Sequence, residues 1–384
     1  MRRTVTVATL GVLAAATTAL LGPGADARQH APDEDRQAGA IEIGTSDEVD
    51  AELSYASTRH ETFTYPGAGY VKVHFDEWQL AEGDYITVSD PAHTEVHRYE
   101  ADSDPGWSTS ISGDTAVVRL HTFQGLMPDR MDDYGAKIDA VAHEMTPEEK
   151  QESHSKDPLL ESVCGQDDQK NAVCYESEEP EVFANTAPVA RLLIDGTTMC
   201  TAWRVGEKNR LLTNSHCFET SKQARDTEVW FNYSCTTCEG DDVEEPVKVR
   251  GDEVLATDAT YDYTLFTVDD FEAVKEFGHM ELADRKPKGR EELYIPQHPD
   301  GRPTQVAIGS DRDPAGACQV SDPDYDGYAE NSDVSYYCDT SFGSSGSPVL
   351  SRETHEVIAL HHFGGCPNSG VRSDKLLERI GDKI

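Results

Sequence analysis

The nine residues Thr340-Ser341-Phe342-Gly343-Ser344-Ser345-Gly346-Ser347-Pro348 constrain the chain more than any other stretch. Six of the nine are Gly or Ser, yet they lie between two strand-like segments. Val334–Cys338 precedes them, and Pro348–Leu350 with Val357–Leu360 follows. Such a loop is either a flexible connection or a tight turn that presents one hydroxyl and a row of backbone N–H groups. The rest of the chain has to decide between these.

The first 27 of the 384 residues predict a secretory leader. Arg2 and Arg3 form a basic start, Thr4–Leu21 is apolar or small, and Ala25-Asp26-Ala27 fits a small-x-small cleavage site. A membrane anchor is the alternative, although Gly22-Pro23-Gly24 interrupts the run and no later stretch is long and apolar enough to span a bilayer. Export places the protein outside the cell and its nine cysteines in an oxidising compartment, where disulfides are expected. Nine is odd, so one thiol is left over or pairs between chains. The formal charge of −39 argues against a nucleic-acid binder. Solubility is the simplest meaning of that charge; an acidic calcium-binding surface is the weaker one.

Residues 28–57 are acidic and polar without a periodic apolar pattern, which predicts a disordered spacer. From 58 to 143 short strands alternate with turns: Val71, Val73 and Phe75 alternate with Lys72 and His74, and Tyr85–Val88 lies between Glu82-Gly83-Asp84 and Ser89-Asp90-Pro91. The rhythm predicts a small antiparallel β-sandwich. His60, His74, His93, His97 and His121 are scattered there and read as surface or half-buried side chains, not metal ligands. Residues 144–161 are charged and predict a linker. Cysteines and strand-like runs then dominate from 162 to 384.

Three sites stand out in that last region. Leu211–Cys217 is a strand running into a His-Cys pair, with Cys200 upstream. Tyr261–Phe266 opens an apolar run with Asp262. The third is Ser345 within the opening stretch. A serine hydroxyl is a poor nucleophile unless an imidazole takes its proton, and the imidazole needs a carboxylate to fix its tautomer. Each signal alone is modest; the ordered set is not. The order His216, Asp262, Ser345 and its flanks resemble the chymotrypsin-like (trypsin-like) serine peptidases over about residues 184–384. The resemblance implies an all-β, double-barrel catalytic domain with a C-terminal helix, behind the smaller sandwich. It implies His216 as general base, Asp262 as its orienter, Ser345 as nucleophile, and the N–H groups of Gly343 and Ser345 as oxyanion hole.

Ser344 departs from animal members, which carry an Asp at that place to pair with a newly cut N-terminus. The start Ala184–Val189 also differs from theirs. Both features resemble the bacterial glutamyl and lysyl endopeptidases. That likeness implies disulfides Cys164–Cys366, Cys174–Cys238 and Cys200–Cys217, an extra bridge Cys318–Cys338, and Cys235 left free. For the specificity pocket, Asp339 implies cleavage after Lys or Arg, which is the preferred reading; His361 with Thr340 implies Glu as the alternative. Asp374 is read as the N-cap of a C-terminal helix. His298–Gly301 reads as a hairpin turn and Asp241, Asp242, Glu244 and Glu245 as a solvated loop. The expectation is therefore a secreted, monomeric serine endopeptidase acting on protein or peptide substrates. It implies no cofactor, metal, nucleic acid or membrane in the mature form. A catalytically silent homologue that binds protein or cell wall is the alternative.

Overall fold

Alternation of side chains builds the N-terminal layer. In β8 (Thr115–His121, after β2 Gly44–Ser54, β3 His60–Thr64, β4 Tyr70–Gln79, β5 Tyr85–Ser89, β6 Val96–Glu100 and β7 Ile111–Ser112), Ala116, Val118 and Leu120 point inward and their neighbours do not. With β9 (Gly135–Glu144) these strands form two four-stranded antiparallel sheets, ordered β2-β9-β4-β7 and β3-β8-β5-β6. Their core is Leu53, Val71, Val73, Ile86, Val88, Val118, Ile138 and Val141. The computed structural model describes residues 40–103, 105–123, 134–146, 148–150 and 163–384, all within one unit, Glu34–Ile384. The leader 1–27 and most of the expected linker 144–161 fall outside the described residues.

The expected spacer 28–57 is corrected at its C-terminal half. It carries β1 (Ile41–Glu42) and the whole of β2. β2 is an edge strand of its sheet, where β9 is its neighbour, and it carries the exposed acids Asp47, Glu48, Asp50 and Glu52. Backbone pairing holds it together with a short alternating face, Val49, Ala51 and Leu53, packed on the sandwich core.

The C-terminal region begins with the two-residue β10 (Lys170–Asn171). The first barrel consists of β11 (Val189–Ile194), β12 (Thr198–Arg204), β13 (Leu211–Thr213), β14 (Thr227–Phe231), β15 (Val247–Asp258) and β16 (Tyr263–Val268). It closes because β13 pairs with both β12 and β16. The second contains β17 (Leu293–Gln297), β18 (Gln305–Ala307), β19 (Val320–Tyr325), β20 (Asp333–Tyr336), β21 (Pro348–Ser351), β22 (Val357–Phe363) and β23 (Asn368–Arg372), in the order β18-β17-β21-β22-β23-β20-β19. Leu293 N to Cys318 O and Cys318 N to Ile308 O link its ends. Trp203, Leu212 and Tyr263 of the first barrel meet Tyr294, Leu360 and Val371 of the second in one shared core. Four disulfides join Cys164–Cys366, Cys174–Cys238, Cys200–Cys217 and Cys318–Cys338, the pairs the resemblance implies. Cys235 is buried and outside any disulfide. Residues 298–301 turn between the paired strands β17 and β18. The helix Ser373–Ile380 closes the chain, but Arg372, not Asp374, occupies its N-cap position. Asp374 lies in the first turn, paired with Arg372 at 2.6 Å; the arginine carboxylate bond wins over a cap to backbone.

The sandwich is docked on the first barrel. Ile41, Ile43 and Tyr70 share a core with Leu193, Met199 and Trp230. Beside it Glu228, fully buried, accepts Lys72 Nζ at 2.9 Å, Ser110 N and Oγ at 2.9 and 2.8 Å, and Trp230 Nε1 at 2.8 Å. Burial opposes this carboxyl's ionisation, yet Lys72 and Lys248 hold its pKa at about 2. β4 is therefore buried on both faces over Tyr70–Val73, one turned to the sandwich core and one to the barrel.

Candidate active site

β13 delivers Asn214-Ser215-His216-Cys217 to the rim of the first barrel, and the Cys200–Cys217 disulfide ties that turn to β12. Asp262 enters from the other side, immediately before β16, in a left-handed conformation (φ +43°). A non-glycine residue holds such a conformation only where its surroundings fix it. Here they do: Asp262 Oδ1 accepts Ser215 Oγ at 2.9 Å and His216 N at 3.0 Å, and Oδ2 accepts His216 Nδ1 at 2.8 Å. Asn214 Nδ2 holds the Asp262 carbonyl at 2.8 Å. Burial opposes ionisation of Asp262, but His216 and His362 bring its carboxyl far below the usual range. With Asp262 on Nδ1, the neutral imidazole has its lone pair at Nε2. That atom is buried and has no hydrogen-bond partner among the described residues.

The Gly-Ser stretch is the tight turn, not a slack connection. Ser344 N donates to Ser341 O, and Ser344 Oγ accepts Ser341 N, both at 3.0 Å; Gly346 N donates to His361 O. Ser344 is thus consumed inside the turn. Ser345 is nearly buried, and its carbonyl accepts Thr201 N at 2.8 Å. Gly346 (φ +89°) allows this approach: a Cβ there would lie 2.1 Å from Thr201 O and 2.6 Å from Thr213 Oγ1. Gly343 (φ +82°) passes its carbonyl to Thr201 Oγ1 at 2.8 Å. The serine turn and the histidine turn therefore hang from one strand, β12: the first at Thr201, the second through Cys200. A cavity of about 510 Å³ opens beside His216, lined also by Ser215, Gln223, Asp262 and Tyr328.

The expected pocket residues are all buried and variously engaged. Asp339 Oδ1 accepts Cys164 N at 2.9 Å and Oδ2 accepts Asp168 N at 2.8 Å. Burial pushes its carboxyl up against those two amides. His361 pairs Nδ1 with Tyr336 Oη at 2.8 Å; burial, then the neighbouring His362 and His216, lower its pKa to about 3. Thr340 Oγ1 is buried without a partner among the described residues. His298 is buried, with Nδ1 on Arg302 O at 3.0 Å. Two residues of the site escape sequence reasoning. His362 Nδ1 stands 3.2 Å from Asp262 Oδ2, and its Nε2 stands 2.6 Å from Asp333 Oδ2. The His361-His362 pair and the Asp opening β20 were visible; that they meet at Asp262 was not.

The trypsin-like peptidase domain family matches residues 200–360. Secreted RxLR effector protein 73 of Plasmopara viticola is 32% identical over 327 residues, covering 81% of this chain and 78% of that protein. The chain belongs to one family with that effector, and its residues 200–360 are a trypsin-like peptidase domain. Among solved structures, a Glu endopeptidase in complex with MPD is 17% identical with a TM-score of 0.42, covering 57% of this trypsin-like chain and 97% of that one. The Rv3671c protease of M. tuberculosis, in an inactive form, is 13% identical with a TM-score of 0.39, covering 54% and 94%.

Proposed function

We propose that this trypsin-like protein is a secreted serine endopeptidase, acting through His216, Asp262 and Ser345. The observation that carries the reading is the Asp262–His216 pair at 2.8 Å, its histidine turn tied by the Cys200–Cys217 disulfide to the strand that also seats the Ser345 turn. Ser345 Oγ attacks the scissile carbonyl carbon while His216 Nε2 takes its proton. The carbonyl oxygen becomes an oxyanion against the amides of Gly343 and Ser345, where one donor contributes roughly 3 kcal/mol to the transition state. Collapse breaks the C–N bond, His216 protonates the leaving amine, and water then hydrolyses the acyl ester by the same path reversed. Asp262 keeps the tautomer and stabilises the imidazolium. The predicted leader, four disulfides and the secreted relative support an extracellular setting.

For the bond cut, the acidic alternative has the stronger support. Asp339 would have to give up two amides to receive a substrate cation, and an unpaired buried carboxylate is costly. The Thr340 hydroxyl and the neutral His361 ring are groups that can donate to a carboxylate. Ser345→Ala is expected to abolish both cleavage of an unfolded protein substrate and labelling by a fluorophosphonate. Unchanged cleavage would sink the mechanism, and an unlabelled wild-type protein would make the chain a silent, binding homologue. Cleavage profiling on a peptide library is expected to rank Glu above Lys and Arg at the bond cut; the reverse ranking restores Asp339 as the pocket base.

A further inference from the structure

His362 is nearly inaccessible, and each of its ring nitrogens faces a carboxylate oxygen: Asp262 Oδ2 at 3.2 Å and Asp333 Oδ2 at 2.6 Å. An ionised carboxylate only accepts, so both nitrogens must donate, and a ring with two N–H groups is an imidazolium. Asp333 is itself fully buried and is fixed by Ser332 Oγ at 2.7 Å on one oxygen and Ser369 Oγ at 2.8 Å on the other. A buried carboxylate so well satisfied keeps its charge. Among the described residues, the other rings against His362 are those of Tyr328 and Phe363, and neither is a counter-ion. Tyr328 meets it edge-on at 5.8 Å, and His361, next in the chain, is neutral. Burial opposes the charge on His362, but Asp333 and Asp262 hold its pKa at about 9.

Asp262 Oδ2 is thus shared between two imidazoles, His216 on the cleft side and His362 behind it. We propose that His362, held as a cation by Asp333, is a positioning residue for the triad: it fixes Asp262 Oδ2 toward His216 and offsets part of the carboxylate's charge. His362 touches Asp262, while Asp333 lies on the far side of the ring, so His216 feels the cation more than the second carboxylate. Without the cation, Asp262 would present its whole charge to His216, and His216 would hold its proton to higher pH. A general base that stays protonated cannot accept the proton of Ser345. This inference rests on the triad proposed for the cleft.

The test is a ¹⁵N NMR titration of the histidine rings in the full-length protein and in Asp333→Asn, with hydrolysis of a peptide amide followed in parallel. His362 is expected to remain an imidazolium from about pH 5 to pH 8 in the unmodified protein, given its counter-ions. In Asp333→Asn it should lose its second proton within that range. The net buried charge stays the same, but the cation lost is nearer to Asp262 than the anion lost, so the His216 midpoint should move to higher pH and the acid limb of kcat/KM with it. The expected loss in kcat at neutral pH is about tenfold, part of the ~10²–10⁴ that positioned proton transfer supplies, with KM little changed. A merely structural role would lower the melting temperature and leave both the His216 midpoint and the acid limb where they were. If Asp333→Asn does not fold, the pair Asp333→Asn/His362→Gln buries no ion pair and is read the same way at His216. A neutral His362 at pH 7 in the unmodified protein, or an unmoved His216 midpoint, overturns the proposal. The ring titrations need no turnover, so an inactive wild-type protein would sink the triad reading while His362 and His216 were still being measured.

Discussion

Single residues carry this protein's buried charge, and their pH dependence has a sign. Glu228 has its pKa lowered in the fold, so its stabilising contribution is present above about pH 4.5 and drains as pH falls toward 2. His362 has its pKa raised, so its contribution is complete below about pH 6.5 and is lost as pH climbs through 9. Melting temperature against pH should therefore fall on both sides of a plateau near pH 5–6. The alkaline slope should flatten in Asp333→Asn/His362→Gln. Lys72→Met strands Glu228 without its 2.9 Å partner and is expected to cost about 3–5 kcal/mol in chemical denaturation. At this scale the sequence was partly legible. His216, Asp262 and Ser345 each carry a local signature, a His-Cys turn, an acid opening a strand, a Gly-Ser turn. Lys72 reads as a solvent-facing member of an alternating strand, and only the barrel packed against that face makes it buried.

Among the elements, β12 does the most. It pairs with β1, β11 and β13, accepts the serine turn at Thr201, and holds the histidine turn through Cys200. Cys200→Ala/Cys217→Ala opens a short loop and is expected to destabilise the fold by roughly 3 kcal/mol. It should also lower kcat more than KM, because His216 loses its tether; equal activity at a temperature well below melting would count against that role. The resemblance carried by His216, Asp262, Ser345 and their flanks implied both barrels, and the Ser373–Ile380 stretch read as a helix. β2 was not legible, because its alternation is short, Val49, Ala51 and Leu53, and is outnumbered by four acids on an edge strand. Asp374 was misplaced for a related reason. Its nearest strong partner, Arg372, precedes the helix, and no helix-capping pattern encodes that bond.

For the molecule as a whole, the sandwich is part of the peptidase's packing. Ile41 and Ile43 are buried with Met199, Leu193 and Trp230, and their exposure would leave an apolar patch on the first barrel. The fragment 163–384 expressed alone is expected to be less stable or aggregated, and Ile43→Asp in the full chain should lower the melting temperature by several degrees; each ΔΔG of 1 kcal/mol corresponds to roughly 2–4 °C at this size. A fragment as stable as the full chain would make the sandwich a dispensable passenger. β1 lies antiparallel to β12 with Ile41 opposite Met199, and Ile41 Cγ2 would be 3.4 Å from a Cβ on Gly343. The earliest described strand thus sits under a turn made near the chain's other end. Pairings so distant in sequence form late. After dilution from denaturant, barrel fluorescence should recover first and peptidase activity only afterwards, giving the chain an interval in which it is folded in outline but harmless.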